Sequence, residues 1–288
     1  MNADVEPAGP AARLDSVLTR IPHRIVACSG GIDSLLLATI AHRASPGHTV
    51  VVHDVTPAVP AAATARVMAR ADRQGWRLRT VSSAEFDDER YLSNPRDRCY
   101  FCKSHLYDAM AQLASKLPDL VETVAWTVLS GANTDDLGEY RPGLDAARER
   151  GVRHPYLEAG LSKADIRALS RDAGFDFAEL PASPCLASRL YTGTAVTPRR
   201  LRAVEIGEEL LRSLTGIGVA RCRVRERDAE EEVTVEAIVE VGAEDQHLIS
   251  ADVLTRVADA MRQVEPTLTG VRLDDLPYRP GRALTVLA

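Results

Sequence analysis

The chain has 288 residues and a mass of 31.3 kDa, beyond the size at which one hydrophobic core is usual, so two globular units are expected. Its 45% hydrophobic and 26% charged residues exclude a disordered or low-complexity protein. A balance of 35 basic against 41 acidic side chains, a formal charge of −6, argues against a surface built to grip a long nucleic acid through its phosphates.

The opening residues, MNADVEPAGPAARLD, carry acids where a secretory signal carries positive charge. No apolar run approaches the roughly 18 residues that span a bilayer. A soluble, cytoplasmic protein with no membrane partner is the expectation. Five cysteines, Cys28, Cys99, Cys102, Cys185 and Cys222, are odd in number and irregular in spacing, which excludes a disulfide framework as the organising device.

In chain order, the apolar run Ile25 to Cys28 reads as a buried strand that ends in a Ser-Gly-Gly turn. Asp33 to His42 follows as a helix with no internal Gly or Pro. Strands are predicted at Thr49 to Val55, Trp76 to Val81 and near Val121 to Leu129, with a helix at Ala61 to Gln74. Strands separated by helices imply a mainly parallel sheet covered on both faces. Ser162 followed three residues later by Asp165 resembles a capping box and places a helix start near Lys163.

The Pro-rich segment Glu179 to Arg189 reads as irregular, and a domain junction is expected just beyond it, giving an α/β domain over 1–190 and a smaller α+β domain over 191–288. In the second, helices are predicted at Arg199 to Leu214 and Ala251 to Gln263. Strands are predicted at Ala220 to Arg227, Val233 to Val241, Leu268 to Leu273 and Leu284 to Leu287.

Ser29-Gly30-Gly31-Ile32-Asp33-Ser34 stands where a strand ends and a helix begins, so exposed N–H groups and the positive helix end can meet a phosphate. Glycine lets the backbone approach such an anion closely. A Gly-Gly dipeptide alone is an ordinary turn, and it is the flanking serines and aspartate that favour a phosphate loop. No Walker-A pattern occurs.

SGGIDS resembles the PP-loop of the N-type ATP pyrophosphatases. Four further segments, NPRDRCYFCK (94–103), GANTDDLGEYRPG (131–143), PASPCLASR (181–189) and GVRLDDLPYRPG (270–281), are similar to those of the LarE family of sulfur transferases. That resemblance implies a PP-loop fold of the adenine nucleotide α-hydrolase type, with ATP and Mg²⁺ held by Ser29, Gly30, Gly31, Asp33 and Ser34. Gly131, Asn133 and Asp135 would lie near the nucleotide, although Asp135 and Asp136 equally suit a turn or helix cap. The implied reaction adenylates the carboxylates of pyridinium-3,5-biscarboxylic acid mononucleotide and converts them to thiocarboxylates, a step in making the nickel-pincer nucleotide cofactor. Family members are homo-oligomers, hexameric in known cases.

A sulfur transferase needs a soft nucleophile. The resemblance makes Cys185 the catalytic candidate, as sulfur source or cluster ligand. Cys28 and Cys222 lie in predicted strands and are assigned to packing. Cys99 and Cys102 form a Cys-x-x-Cys pair, which by itself could be a redox dithiol or half of a zinc site. Together with Cys185 they match the three-cysteine LarE pattern, implying a [4Fe-4S] cluster that delivers sulfur repeatedly from an unidentified sulfide donor, in place of a Cys185 sacrificed in one turnover.

Arginines gather between Arg189 and Arg227. By match to the family, Ser188, Arg189, Arg223 and Arg225 are expected to face the phosphate of the mononucleotide substrate. Glu208 and Glu240 match acidic positions that could hold a metal, and equally read as ordinary surface glutamates. Leu190 to Gly193 and the acidic stretch 228–232 depart from the family pattern beside the expected substrate pocket, which leaves room for a paralogue acting on another carboxylate. Two other readings compete: a PP-loop tRNA thiolase, disfavoured by the net charge, and a non-catalytic ATP-binding module, which gives the cysteines no task.

Overall fold

The computed structural model describes residues 9–117, 125–138, 140–229, 232–279 and 281–284. The chain divides into two units. The first comprises Met1–Thr56, Ala61–Ala84 and Cys99–Ser183, and the second Pro57–Pro60, Glu85–Arg98 and Pro184–Ala288.

The first unit is α/β. Its four strands, β1 (Arg24–Ala27), β2 (Thr49–Asp54), β3 (Arg77–Val81) and β4 (Thr127–Leu129), form a parallel sheet in the order β3-β2-β1-β4. Alternation along β1 and β2 serves two cores, because successive side chains of a strand leave by opposite faces. Val26 and Val51 join one cluster, with Leu14 and Leu18 of α1 (Pro10–Thr19), Leu35 and Leu36 of α2 (Ile32–Ala44) and Val67 of α3 (Ala61–Gln74). Ile25, Val50 and Val52 join the other, with Leu106, Tyr107 and Met110. The sheet is therefore covered on both sides, as the alternation of strand and helix requires.

A one-turn helix, α4 (Glu89–Leu92), belongs to the second unit, and α5 (Arg98–Ala114) begins at the boundary and carries the Cys-x-x-Cys pair in its first turns. The first unit continues with α6 (Pro142–Glu149), α7 (Pro155–Glu158) and α8 (Lys163–Asp172). The expected capping box is present at α8: Ser162 Oγ accepts from the Asp165 N–H, and Asp165 Oδ2 accepts from the Ser162 N–H at 2.8 Å. Helices α1, α4, α5, α6 and α7 are additions to the pattern read from sequence. Of the strand expected near Val121 to Leu129, residues 121–124 lie outside the described residues.

In the second unit β5 (Ala220–Ala229) pairs antiparallel with β6 (Glu232–Val241), which pairs parallel with β7 (Leu268–Leu273). Helices α9 (Pro198–Thr215) and α10 (Ala251–Arg262) pack with this sheet. Gly207 of α9 permits a close approach: a Cβ there would stand 2.8 Å from Met261 Sδ and 2.9 Å from Cys222 Sγ. The strand expected at Leu284 to Leu287 lies outside the described residues except for Leu284, which ends a short 3-10 turn.

Candidate functional site

Strand β1 sits between β2 and β4, so the chain leaves β1 toward one side of the sheet while β4 occupies the other. In open parallel sheets such a reversal opens a crevice at the carboxyl ends of the strands, where ligands bind. Ser29 to Ser34 leave β1 at this point, and Ser130 to Asp135 leave β4 beside it.

The first loop is braced from within. Ser34 Oγ accepts from the Ser29 N–H at 3.1 Å and donates to the Gly31 carbonyl at 3.0 Å. Gly30 has φ +80, and a Cβ there would meet the Ala63 carbonyl oxygen at 2.8 Å, so glycine is required by both conformation and space. His53, fully buried on β2, joins the loop's root to α3, with Nδ1 2.8 Å from the Cys28 carbonyl and Nε2 2.9 Å from Thr64 Oγ1. Cys28 is buried there, and burial pushes its thiol up to about 11.

The two loops meet at Gly131. A Cβ on this residue would come within 3.2 Å of the Ser34 nitrogen and of the Asp33 carbonyl carbon. Asn133 is buried and accepts from the Asp135 N–H at 3.0 Å, while Asp136 accepts from the Asn133 N–H at 3.0 Å. Asp136 thus acts as the turn cap, and Asp135 Oδ2 accepts from the Lys163 N–H at 3.1 Å. The loops that carry Ser29, Gly30, Gly31, Asp33 and Ser34 and that carry Gly131, Asn133 and Asp135 thus lie side by side at the carboxyl ends of β1 and β4.

Three residues not read from sequence join them. Lys163 Nζ forms an ion pair with Asp33 Oδ2. The buried Tyr156 hydroxyl donates to the Asp33 carbonyl at 2.9 Å, and burial raises its pKa well above the ordinary phenol value, keeping it a donor. His154 Nδ1 lies 2.8 Å from Ser130 Oγ, with its pKa lowered by burial. Asp33 Oδ1 is buried and has no hydrogen-bond partner among the described residues, an orphaned anionic oxygen of the kind a divalent cation satisfies.

In the second unit Cys185 is half-buried and precedes the 3-10 turn Leu186–Arg189. Arg189 is buried and reaches back to the Pro184 and Cys185 carbonyls, at 2.8 and 3.1 Å, and to Ser188 Oγ at 3.0 Å. Its other edge meets Glu208 in a two-pronged contact of 2.8 and 3.0 Å. Glu208 also accepts from the Cys222 N–H at 3.3 Å.

Arg223, likewise buried, donates to Glu240 at 3.1 Å and to the Ser188 carbonyl at 2.8 Å, and Arg282 meets the other Glu240 oxygen at 3.2 Å. Arg225 pairs with Glu236 at 2.9 Å. The arginines expected at a substrate phosphate are all matched by carboxylates, and Glu208 and Glu240 are each neutralised by guanidinium. Their geometry fixes the backbone on which Cys185 and Ser188 sit.

Cys99 and Cys102 are one turn apart on α5, in the first unit. Among the described residues no disulfide forms between these or other cysteines, and no group of three or more His, Cys, Asp or Glu gathers as a metal site. No described helix is long and apolar enough to cross a membrane.

No protein-family model matches the chain. It is 37% identical over 201 residues to an uncharacterized protein of Synechocystis, covering 70% of this chain and 72% of that one. It is 27% identical over 189 residues to an uncharacterized protein of Methanocaldococcus jannaschii, covering 66% and 69%. It is 30% identical over 221 residues to the pyridinium-3,5-bisthiocarboxylic acid mononucleotide synthase of Lactiplantibacillus plantarum, covering 74% of this chain and 75% of the synthase. With the gathered loops and this extent of shared sequence, the chain belongs to the family of that synthase, the LarE family.

Proposed function

We propose that this protein is an ATP-dependent sulfur transferase that adenylates the carboxylates of pyridinium-3,5-biscarboxylic acid mononucleotide and converts them to thiocarboxylates. The observation that carries the reading is the convergence of Ser29–Ser34 and Gly131–Asp135 at the reversal point of a parallel sheet, in a chain related to a synthase of the corresponding bisthiocarboxylate. Backbone N–H groups at the start of α2 suit the pyrophosphate of ATP, and the orphaned Asp33 oxygen suits Mg²⁺.

A carboxylate oxygen of the substrate attacks the α-phosphorus. The new O–P bond forms as the bond to the bridging oxygen breaks, and pyrophosphate leaves with that electron pair. A nucleophilic sulfur then adds to the acyl carbon, and the C–O bond to AMP breaks with its electrons going to AMP. Ser188 and Arg225 face the phosphate of the mononucleotide in this proposal, while the buried Arg189 and Arg223, matched by Glu208 and Glu240, hold the turn that carries Ser188.

For the sulfur source, the three-cysteine pattern of the family favours Cys99, Cys102 and Cys185 as ligands of an iron-sulfur cluster. These three thiols are exposed or half-buried, whereas Cys28 and Cys222 are buried. Bound there, a [4Fe-4S] cluster would supply an iron open to exogenous sulfide. Glu208 and Glu240, already neutralised by arginine, are assigned as counter-ions and not as metal ligands.

The test is pyrophosphate release and thiocarboxylate formation from the biscarboxylate mononucleotide, with iron and acid-labile sulfide measured in protein prepared without oxygen. Cys185→Ala is expected to retain ATP binding and lose thiocarboxylate. Cys99→Ala is expected to lose the cluster. Full thiocarboxylate formation by Cys185→Ala overturns the sulfur assignment, and absence of carboxylate-dependent pyrophosphate release overturns the adenylation.

A further inference from the structure

Buried arginines in this chain meet a carboxylate, as Arg189, Arg200 and Arg223 do, or fill the guanidinium fork with carbonyls, as Arg24 does at 2.6 to 3.0 Å. Arg98 does neither. It is 3% exposed, its Nη1 donates to the neutral Asn94 Oδ1 at 2.9 Å, and its Nε is buried without a partner among the described residues. No carboxylate pairs with it among the described residues, the adjacent Asp97 included. A buried guanidinium without a counter-charge is costly, so its presence points to an anion that the chain's own acids do not supply.

The place of Arg98 says which anion. It opens α5, with no acidic residue in the first turn, so the guanidinium adds to the positive end of the helix dipole. Cys99 is the next residue, and Cys102, one turn on, lies on the same helix face. Long side chains on a helix lean toward its N-terminus, which sets Cys102 over the turn that Arg98 begins. The guanidinium is also held in place. Asn94, buried with φ +52, donates through Nδ2 to the Tyr191 carbonyl at 2.8 Å, and its own carbonyl accepts from the Gly193 N–H at 2.9 Å. The amide oxygen that receives Arg98 is thereby fixed by backbone contacts on its other side.

Resting on the cluster reading above, we infer that Arg98 is the buried counter-charge of the iron-sulfur group that Cys99 and Cys102 help to hold. A [4Fe-4S] cluster on three thiolates is net anionic, and gaining an electron makes it more so. Arg98 therefore favours the loaded chain over the empty one and the reduced cluster over the oxidised one. In the cluster-free chain the same charge is a cost.

That cost gives a sign that bracing does not imitate. Arg98→Gln removes the charge and keeps an N–H donor, so the cluster-free full chain is expected to have a urea midpoint at least as high as that of the wild type. After reconstitution without oxygen, the same variant is expected to lose iron to a chelator about 10-fold faster. The ratio of oxidised to reduced cluster at a fixed potential, followed by electron paramagnetic resonance, is expected to rise about tenfold, a midpoint lower by about 59 mV. Arg98→Lys keeps the charge and is expected to restore most of the wild-type potential.

A cluster-free Arg98→Gln chain that is unfolded or less stable than the wild type makes Arg98 a brace and overturns the proposal. So does a loaded Arg98→Gln chain with wild-type iron retention or wild-type potential. An Arg98→Lys chain shifted as far as Arg98→Gln shows that charge is not the cause, and overturns it too. A wild type that takes up no iron is a different result: it rejects the cluster reading, and the counter-charge with it.

Discussion

Asp33 in the first unit and Glu208 in the second are both carboxylates beside a cation, yet they are built differently. Asp33 meets Lys163 through one oxygen and leaves the other buried and without a partner among the described residues. Glu208 has both oxygens engaged by Arg189 and a third contact from the Cys222 N–H. A closed pair of this sort holds backbone in place, and here it holds the turn that carries Cys185. An open one retains capacity for a ligand. Charge clustering read from sequence cannot separate these cases, because the difference lies in partners far away along the chain.

The largest expected effect is on the closed pair. Arg189→Ala takes its two-pronged partner from the buried Glu208 and leaves only the more distant Arg221 at 3.6 Å and Arg212 at 4.0 Å, for which a loss of about 3 kcal/mol of stability is expected. The double variant Arg189→Met with Glu208→Gln removes both charges and is expected to recover most of that loss, measured by urea unfolding. If the single variant is as stable as the wild type, the pair does not support the turn that carries Cys185. If the double variant is stable but cannot form thiocarboxylate, the charge of Arg189 reaches the chemistry as well as the fold, and the description of the pair as closed is overturned.

At the open site the expected effect is smaller in stability and larger in binding. Gly30→Ala places a side chain at φ +80, a cost of about 1–2 kcal/mol, and sets its Cβ against the Ala63 carbonyl at 2.8 Å. Since the contact is with backbone, the loop must shift. ATP affinity is expected to fall at least about tenfold, for a loss near 2 kcal/mol in unfolding free energy. Unchanged nucleotide affinity in this variant would separate the loop from the nucleotide.

What the sequence made legible follows the range of the interactions involved. The helix Ala61–Gln74, the strands β1, β2 and β3 and the capping box at Ser162 were readable because periodicity and cap chemistry act within a few residues. The loop Ser29–Ser34 was readable as a strand-to-helix turn for the same reason. Lys163 was not, because its partner Asp33 is 130 residues away and nothing local links them. The scarcity of lysine was the one available signal. Helix α5 is likewise hidden in the sequence: its Cys-x-x-Cys pattern points to metal chemistry, while Leu106, Tyr107 and Met110 of the same segment pack against the sheet. The pairing of Arg189 and Arg223 with Glu208 and Glu240 depends on how α9, β5 and β6 pack, which composition does not encode.

The smallest expected effect tests the same contrast at the margin of the second unit, where Glu236 is shared by Arg225, Arg227 and Arg272 at 2.9, 2.6 and 2.8 Å. Hydrogen bonds from these guanidiniums outweigh burial and lower its pKa from an ordinary 4.5 to about 2. A carboxylate whose folded pKa is depressed contributes stability above its unfolded pKa and loses it as pH falls through the folded one. The contribution of Glu236 should therefore be complete at neutral pH, decline below about pH 4.5 and be largely gone near pH 2. Arg227 and Arg272 are exposed, so solvent screening limits the effect to about 1 kcal/mol. Glu236→Gln is expected to be less stable than the wild type by that amount at pH 7, with the gap closing on acidification and narrowing in high salt. A gap that is the same at every pH and salt concentration would mean that Glu236 contributes by packing and not by charge, which would set this partly exposed cluster apart from the buried pairs beside it.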